Sequence, residues 1–384
     1  AATFLGAPEQ GLTRNLTYLQ FGIGSILARF ALAFLFLGVY YKLNVYTVYG
    51  FLAHRFGPST KSAAAGMFLL GRVFAGGSRL FIASLAVKVA VGLPMAHSII
   101  ALGLIAVVYT LFGGIKAVIW TDVMQAVVLI GGAIVTIYTL LTQIPLSTGE
   151  IVGKLSEANK FTFFDTTSSV WTNAYHVFPA ILGGFVLTMA THGTDQAMVQ
   201  RMLTCKDSTK SKLSMVASGF LGVGVTCLFM MIGMLLFVYV QTIPQSELAT
   251  IAATLKAQGK NGDLFLHYIV KCLPAGLTGL IIAAVFAAAM SSIDSELNAM
   301  SATFVNDFYL PWTSRAELVQ DKERAKDEVE NTSKIMKVAK IATIVSGLFL
   351  IGLALLIADF HAANPDTDLL SIALGIMTFF YGGL

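Results

Sequence analysis

Charge is what this sequence has least of. Only 12% of its 384 residues are charged, and 56% are hydrophobic, whereas a soluble domain carries about 25% charged residues. Such a chain cannot clothe its own surface in polar groups and needs a lipid bilayer as part of its solvent. The net charge of +4 is small and gathers in the connections between apolar runs. No basic face is left for nucleic acid. Cysteine is scarce too. Cys205, Cys227 and Cys272 lack metal-ligand spacing, and the topology below puts Cys205 and Cys272 on opposite sides of the membrane, which argues against a disulfide. No nucleophile–base pair and no cluster of metal ligands is visible, so an enzyme is disfavoured and no cofactor is expected. There is no initiator Met and no signal peptide. The chain starts Ala1-Ala2-Thr3-Phe4 and stops at Tyr381-Gly382-Gly383-Leu384 inside an apolar run, so it reads as a segment cut at both ends from a longer protein.

What the sequence does have is long apolar runs. Nine are long enough, or nearly so, to span a bilayer, which takes about 20 residues. They lie at roughly 17–41, 62–92, 97–114, 117–142, 176–199, 215–241, 275–308, 337–358 and 368–384. Backbone groups in lipid must be satisfied within the segment, and the runs are too long for barrel strands, so helices are expected. The expected fold is an all-α, multi-pass transmembrane domain over 1–384, in the plasma (inner) membrane. Lys and Arg set the orientation. The connections after the first, third, fifth and seventh runs hold about twice as many as the other side, among them Lys61, Lys116, Arg201, Lys210 and Lys340; these are read as cytoplasmic. The mixed-charge stretch 311–340 reads as a solvated surface helix.

Three basic residues lie inside runs: Arg29, Arg72 and Arg79. An ionisable group at a helix centre costs about 2.5–3.5 kcal/mol on insertion scales, and function is the default hypothesis for it. Arg72 and Arg79 are two turns apart on one face, with small residues from Ala75 to Ser78 between them. Two readings stay open: contact with substrate or a gate, or pairing with a buried carboxylate or snorkelling to the interface. The intramembrane acids are chiefly Asp122, Asp195, Asp294 and Glu296. Ala288, Ser291, Ser292 and Ser295 fall at helical spacing, forming one stripe beside Asp294. Hydroxyls, carbonyls and a carboxylate suit a hard cation such as sodium. A serine stripe also serves as a helix-packing surface.

Three strings carry a resemblance. Gly113-Gly114-Ile115 through Trp120-Thr121-Asp122, Thr194-Asp195-Gln196 through Val199-Gln200-Arg201, and Ala287 through Asn298 stand in the order and spacing of the sodium/solute symporter family, including its bacterial sialic-acid and sugar branches. The resemblance implies a leucine-transporter-like inverted-repeat fold with broken helices at the midplane. The runs here would be the second to tenth core helices, and the first broken helix would be missing apart from residues near Ala1 to Phe4. It further implies a main sodium site at the Ala288 carbonyl and the Ser291 and Ser292 hydroxyls. A second site, nearer the cytoplasm, would be lined by Asp122, Ser291, Asp294 and Ser295. Asp294 departs from the sugar and sialic-acid branches, which have a small or hydroxyl residue there. The extra carboxylate leaves open a tighter ion site or a proton shared between acids. For substrate, the resemblance points to Arg72, Thr188, Thr191 and Gln20. Arginine suits a carboxylate because its planar fork meets it at two points. Gly183-Gly184 and Gly193 would permit the break in the fifth helix.

The function expected is sodium-coupled uptake of a small organic solute by alternating access, the solute being an organic anion such as a sialic acid or another carboxylate. Sodium is the coupling ion and the only metal. The competing readings are a sodium/sugar symporter and a symporter-like sensor domain of a membrane signalling protein.

Overall fold

A computed structural model describes residues 2–43, 45–257, 261–317 and 324–363. Among the described residues every regular element is helical. In chain order these are α1 (Ala2–Thr13), α2 (Gln20–Leu35), α3 (Leu37–Lys42), α4 (Val48–Phe56), α5 (Pro58–Val91), α6 (Met95–Gln143), α7 (Thr148–Glu157), α8 (Val177–Gly193), α9 (Gln196–Leu203), α10 (Ser208–Thr242), α11 (Glu247–Ala257), α12 (Leu264–Cys272), α13 (Ala275–Phe304), α14 (Leu310–Glu317) and α15 (Arg324–Ala363). Among the described residues six helical spans, two of them in α6, are long and apolar enough to cross a membrane, or seven if the bent pair α8–α9 counts as one span. The run expected at 275–308 is the 30-residue α13, and the run at 368–384 lies outside the described residues. Short helices α7, α11 and α12 fall outside every apolar run. The clearest local signal among them is the capping box of α7, where Ser147 and Glu150 bond reciprocally.

The two runs at 97–114 and 117–142 belong to one helix, α6, whose apolar spans are Met95–Phe112 and Val118–Gln143. It is not straight. The Tyr109 hydroxyl donates to Thr121 Oγ1 at 2.8 Å across 12 positions, which a straight helix would hold about 18 Å apart. The two side chains cannot bridge that, so the helix bends sharply between them.

The chain divides into two compact units. The first comprises Ala1–Ala31, Met124–Met189 and Leu213–Val285; the second comprises Leu32–Val123, Ala190–Lys212 and Phe286–Leu384. In the first unit α1 and α10 meet backbone to backbone. A β-carbon on Gly11 would strike the Met230 carbonyl, and one on Gly233 the Pro8 carbonyl. The pair α2–α8 repeats the pattern with Gly24 against Ile181 and Gly184 against Phe21. Only glycine permits such an approach. Gly183-Gly184 therefore serves packing, and not the helix break expected there: α8 runs through it without interruption and ends at Gly193. Phe4 adds ring contacts to Phe229 and Phe265 at 5.4 and 5.0 Å.

The second unit packs through side chains. Leu80, Ile99, Leu102, Leu297, Leu350 and Ile351 form its buried apolar cluster, which joins α5, α6, α13 and α15. The end of α13 carries one π-helical turn, Val305–Tyr309. It turns Asp307 inward, where it accepts from Thr47 Oγ1 at 2.8 Å and pairs with Lys61 at 3.0 Å.

Candidate functional site

The polar groups of the second unit converge on α13, where Asp294, Ser295 and Glu296 are consecutive. The first cluster holds oxygens. Asp122, from α6, accepts at Oδ1 from the Ser291 hydroxyl. Its Oδ2 pairs with Arg201 Nη2 of α9 at 2.7 Å. The same nitrogen also donates to Ser295 Oγ. Asp294, buried, accepts from Thr110 Oγ1 at 3.1 Å and lies within electrostatic reach of Asp122 and Arg201. Three expected second-site residues are thus joined directly or through Arg201, and Asp294 sits beside them. Ser292 is in the same turn of α13, half-buried. Ala288 lies in α13, and its side chain is outside the described set. Carboxylate and hydroxyl oxygens in this arrangement fit a hard monovalent cation, which prefers oxygen donors as other hard cations do.

The second cluster holds charge pairs. Arg72 gives Nη2 to Asp195 and Nη1 to Glu296 Oε1, the latter at 2.9 Å, and Arg79 gives Nη1 to that same Glu296 oxygen. Arg72 is 4% exposed and Glu296 1%. Two arginines therefore face two carboxylates, a formally neutral cluster. Of the two readings left open by the sequence, the structure shows the carboxylate one: Arg72 is engaged by Asp195 and Glu296.

Between the clusters runs α9, which meets α8 at a bend of 66°. Backbone groups at the break find side-chain partners, as a membrane interior requires. Tyr40 donates to Gly193 O at 2.9 Å, and Asp195 caps α9 by accepting from Ala197 N at 2.9 Å. Gln196, fully buried, accepts from Val48 N at 2.8 Å and donates to Tyr46 O at 3.1 Å. Thr191, just before the break, bonds its neighbour His192 at 2.9 Å.

The remaining substrate candidates lie in the first unit. Gln20 is fully buried; its Nε2 donates to Thr17 O and Tyr175 O, both at 2.9 Å, and its Oε1 has no partner. That oxygen is an acceptor waiting for a donor. Thr188 donates to Ser25 at 2.9 Å, and Ser25 also accepts from Arg29 at 2.5 Å.

Residues 1–373 match the sodium:solute symporter family. The chain belongs to that family. It is 30% identical over 351 residues to the sodium/sialic acid symporter of Proteus mirabilis, covering 90% of this chain and 66% of that protein. It is 29% identical over 322 residues to the sodium/glucose cotransporter of Vibrio parahaemolyticus, covering 82% and 59%. Against a solved sodium-coupled sialic acid symporter, in a substrate-bound outward-open state with a novel sodium site, the TM-score is 0.79 at 26% identity, over 99% of this chain and 75% of that one. The fold is thus that of the leucine-transporter-like sodium symporters, as expected. The chain spans 66% or less of the length of these two curated relatives. Two groups of the oxygen cluster are not legible in the sequence. Arg201 reads as a charge of the connection after the fifth run, and Thr110 is hidden among apolar neighbours; the string ending Val199-Gln200-Arg201 is the available signal for the first.

Proposed function

We propose that this chain is the transmembrane core of a sodium-coupled symporter that takes up a small organic solute by alternating access in the plasma membrane. The observation that carries the reading is the Asp122–Ser291 contact between α6 and α13, set in a cluster of oxygens. Sodium is the co-substrate. Ser291 and Ser292, with the Ala288 carbonyl, form one half of the main sodium site; Asp122, Ser291, Asp294 and Ser295 form the second. The solute is an organic anion such as a sialic acid or another carboxylate. In the second unit Arg72 receives the solute carboxylate by exchanging it for Asp195 or Glu296, with Thr191 as a further solute-binding residue; in the first unit Thr188 and Gln20 are the candidate solute-binding residues, Gln20 through its unpartnered Oε1.

One observation favours a second reading, a neutral sugar as solute. The cluster of Arg72, Arg79, Asp195 and Glu296 is already balanced in charge, so it offers an anion no net attraction. Uptake of labelled carboxylates and sugars into proteoliposomes by the full-length protein, with sodium or choline outside, tests both. Sodium-dependent carboxylate uptake that neutral sugars do not inhibit supports the anion. Full inhibition by a sugar supports the second reading, and equal uptake in choline refutes sodium coupling. Ser292→Ala should raise the half-saturating sodium concentration in either case.

A further inference from the structure

The oxygen cluster already contains a cation. Arg201 Nη2 has two hydrogens, and the structure directs one to Asp122 Oδ2 and one to Ser295 Oγ. Both oxygens belong to the second ion site proposed above, on which this inference rests. A guanidinium nitrogen and a sodium ion cannot hold the same two oxygens at once. We propose that Arg201 is a tethered competitor in the coupling-ion site: sodium loading at Asp122 and Ser295 displaces its guanidinium, and the displacement releases the C-terminal end of α9.

Three features single out this pair for exchange. It is the wetter of the buried ion pairs on α9, with side chains 26% and 21% exposed, against 5% and 3% for Arg72 and Asp195. It is only partly enclosed, so an ion can replace the guanidinium without stranding a charge in a sealed interior, which a fully buried pair would not allow. Its hydrogen bonding is incomplete, since Arg201 Nε is buried without a partner. Its position is also mechanical. α9 is held at its start by Asp195 and Gln196, and at its end by Arg201 together with the Tyr41 and Ser211 hydroxyls on the Met202 carbonyl. Exchange at Arg201 therefore removes the charged contact at one end of a short helix, leaving neutral hydrogen bonds there, while the other end keeps its ion pair. Arg201 is accordingly a positioning residue that converts occupancy of the ion site into movement of α9.

A native reporter lies at that end. Cys205 follows α9 by two residues, and its carbonyl accepts from the Tyr41 hydroxyl at 3.0 Å, as Met202 does at 2.9 Å. The full-length protein, in a background carrying Cys227→Ser and Cys272→Ser and lacking thiols outside this segment, is reconstituted in lipid. Maleimide labelling of Cys205 is then timed in sodium and in choline. Sodium should change the labelling rate several-fold. In Arg201→Met the rate should equal the sodium value in both media. The half-saturating sodium for uptake should fall by about twofold to fivefold, the loss of a partly exposed competing pair. Arg201→Lys keeps a tethered charge and should keep the sodium response. If wild-type uptake needs sodium yet Cys205 labels equally in both media, or if Arg201→Met leaves half-saturation unchanged, this inference fails alone. If wild-type uptake ignores sodium, it fails together with the proposed function. The wild-type labelling decides the matter even where Arg201→Met does not fold.

Discussion

The two units solve the same problem, fastening helices inside lipid, with different chemistry. In the first, reciprocal glycines bring backbones into contact: Gly11 with Gly233, and Gly24 with Gly184. In the second, ion pairs and interleaved side chains do the joining. Even its glycines meet side chains, as Gly77 meets Leu353 and Gly103 meets Ile351. A backbone contact has one solution. An ion pair can trade partners, and a leucine can change rotamer. The unit built from exchangeable contacts is also the one that carries the candidate ion site.

The contrast is sharpest at Gly24. In Gly24→Ala the new methyl falls on the Ile181 carbonyl, which cannot move without the whole of α8. The expected cost exceeds about 3 kcal/mol, seen as lost monodisperse protein on size-exclusion chromatography; wild-type yield and stability would erase the distinction between the units. Arg72→Met comes next. It removes the Arg72 charge from both Asp195 and Glu296, at about 3–5 kcal/mol. Adding Asp195→Asn should recover part of that loss in thermal unfolding, and purely additive losses would mean the pair is not coupled. Gly77→Ala should cost less, about 1–2 kcal/mol, because the nearest atoms, 2.8 Å away, belong to the Leu353 side chain, which can shift.

The smallest effect expected is a pH dependence in the first unit. Lys160, in the connection between α7 and α8, donates to the carbonyls of Gly11, Leu12 and Arg14 at 3.1, 2.7 and 2.7 Å and so closes the end of α1. Burial pushes its pKa down from 10.5 to about 8. The folded state then binds fewer protons than the unfolded state between those values, so stability rises with pH across that window. Unfolding temperature should climb slightly between pH 8 and 10, and Lys160→Met should remove the slope. A flat wild-type profile would mean that the three carbonyls outweigh burial and keep the ammonium charged.

The spans were legible because hydropathy is a local property. Runs such as 215–241 and 62–92 recur as α10 and α5 with shifted ends. The serine stripe was legible for the same reason, since Ser291 and Ser295 share a helix face whatever surrounds them. Partners were not. Arg72 and Glu296 are 224 positions apart, and no periodicity encodes such a pairing. Arg201 is hidden in a different way: an eight-residue amphipathic helix is too short for a hydropathy window, so its charge reads as part of the connection. Gly183-Gly184 misled because glycine permits both a break and a close approach, and only the neighbouring helix decides which.

Asp195 shows what sharing one side chain between two tasks does to the freedom of a position. Its Oδ1 closes the first turn of α9, and its Oδ2 answers the charge of Arg72. Asparagine would retain the closure and surrender the charge. Glutamate would retain the charge on a longer arm that no longer reaches its own backbone two residues on. Neither near neighbour in chemistry is a substitute, so in a saturation screen for function this site should accept aspartate and reject both of its closest mimics. A position of that kind narrows the routes by which the helix break could drift, because the kink and the charge balance have to change in the same step.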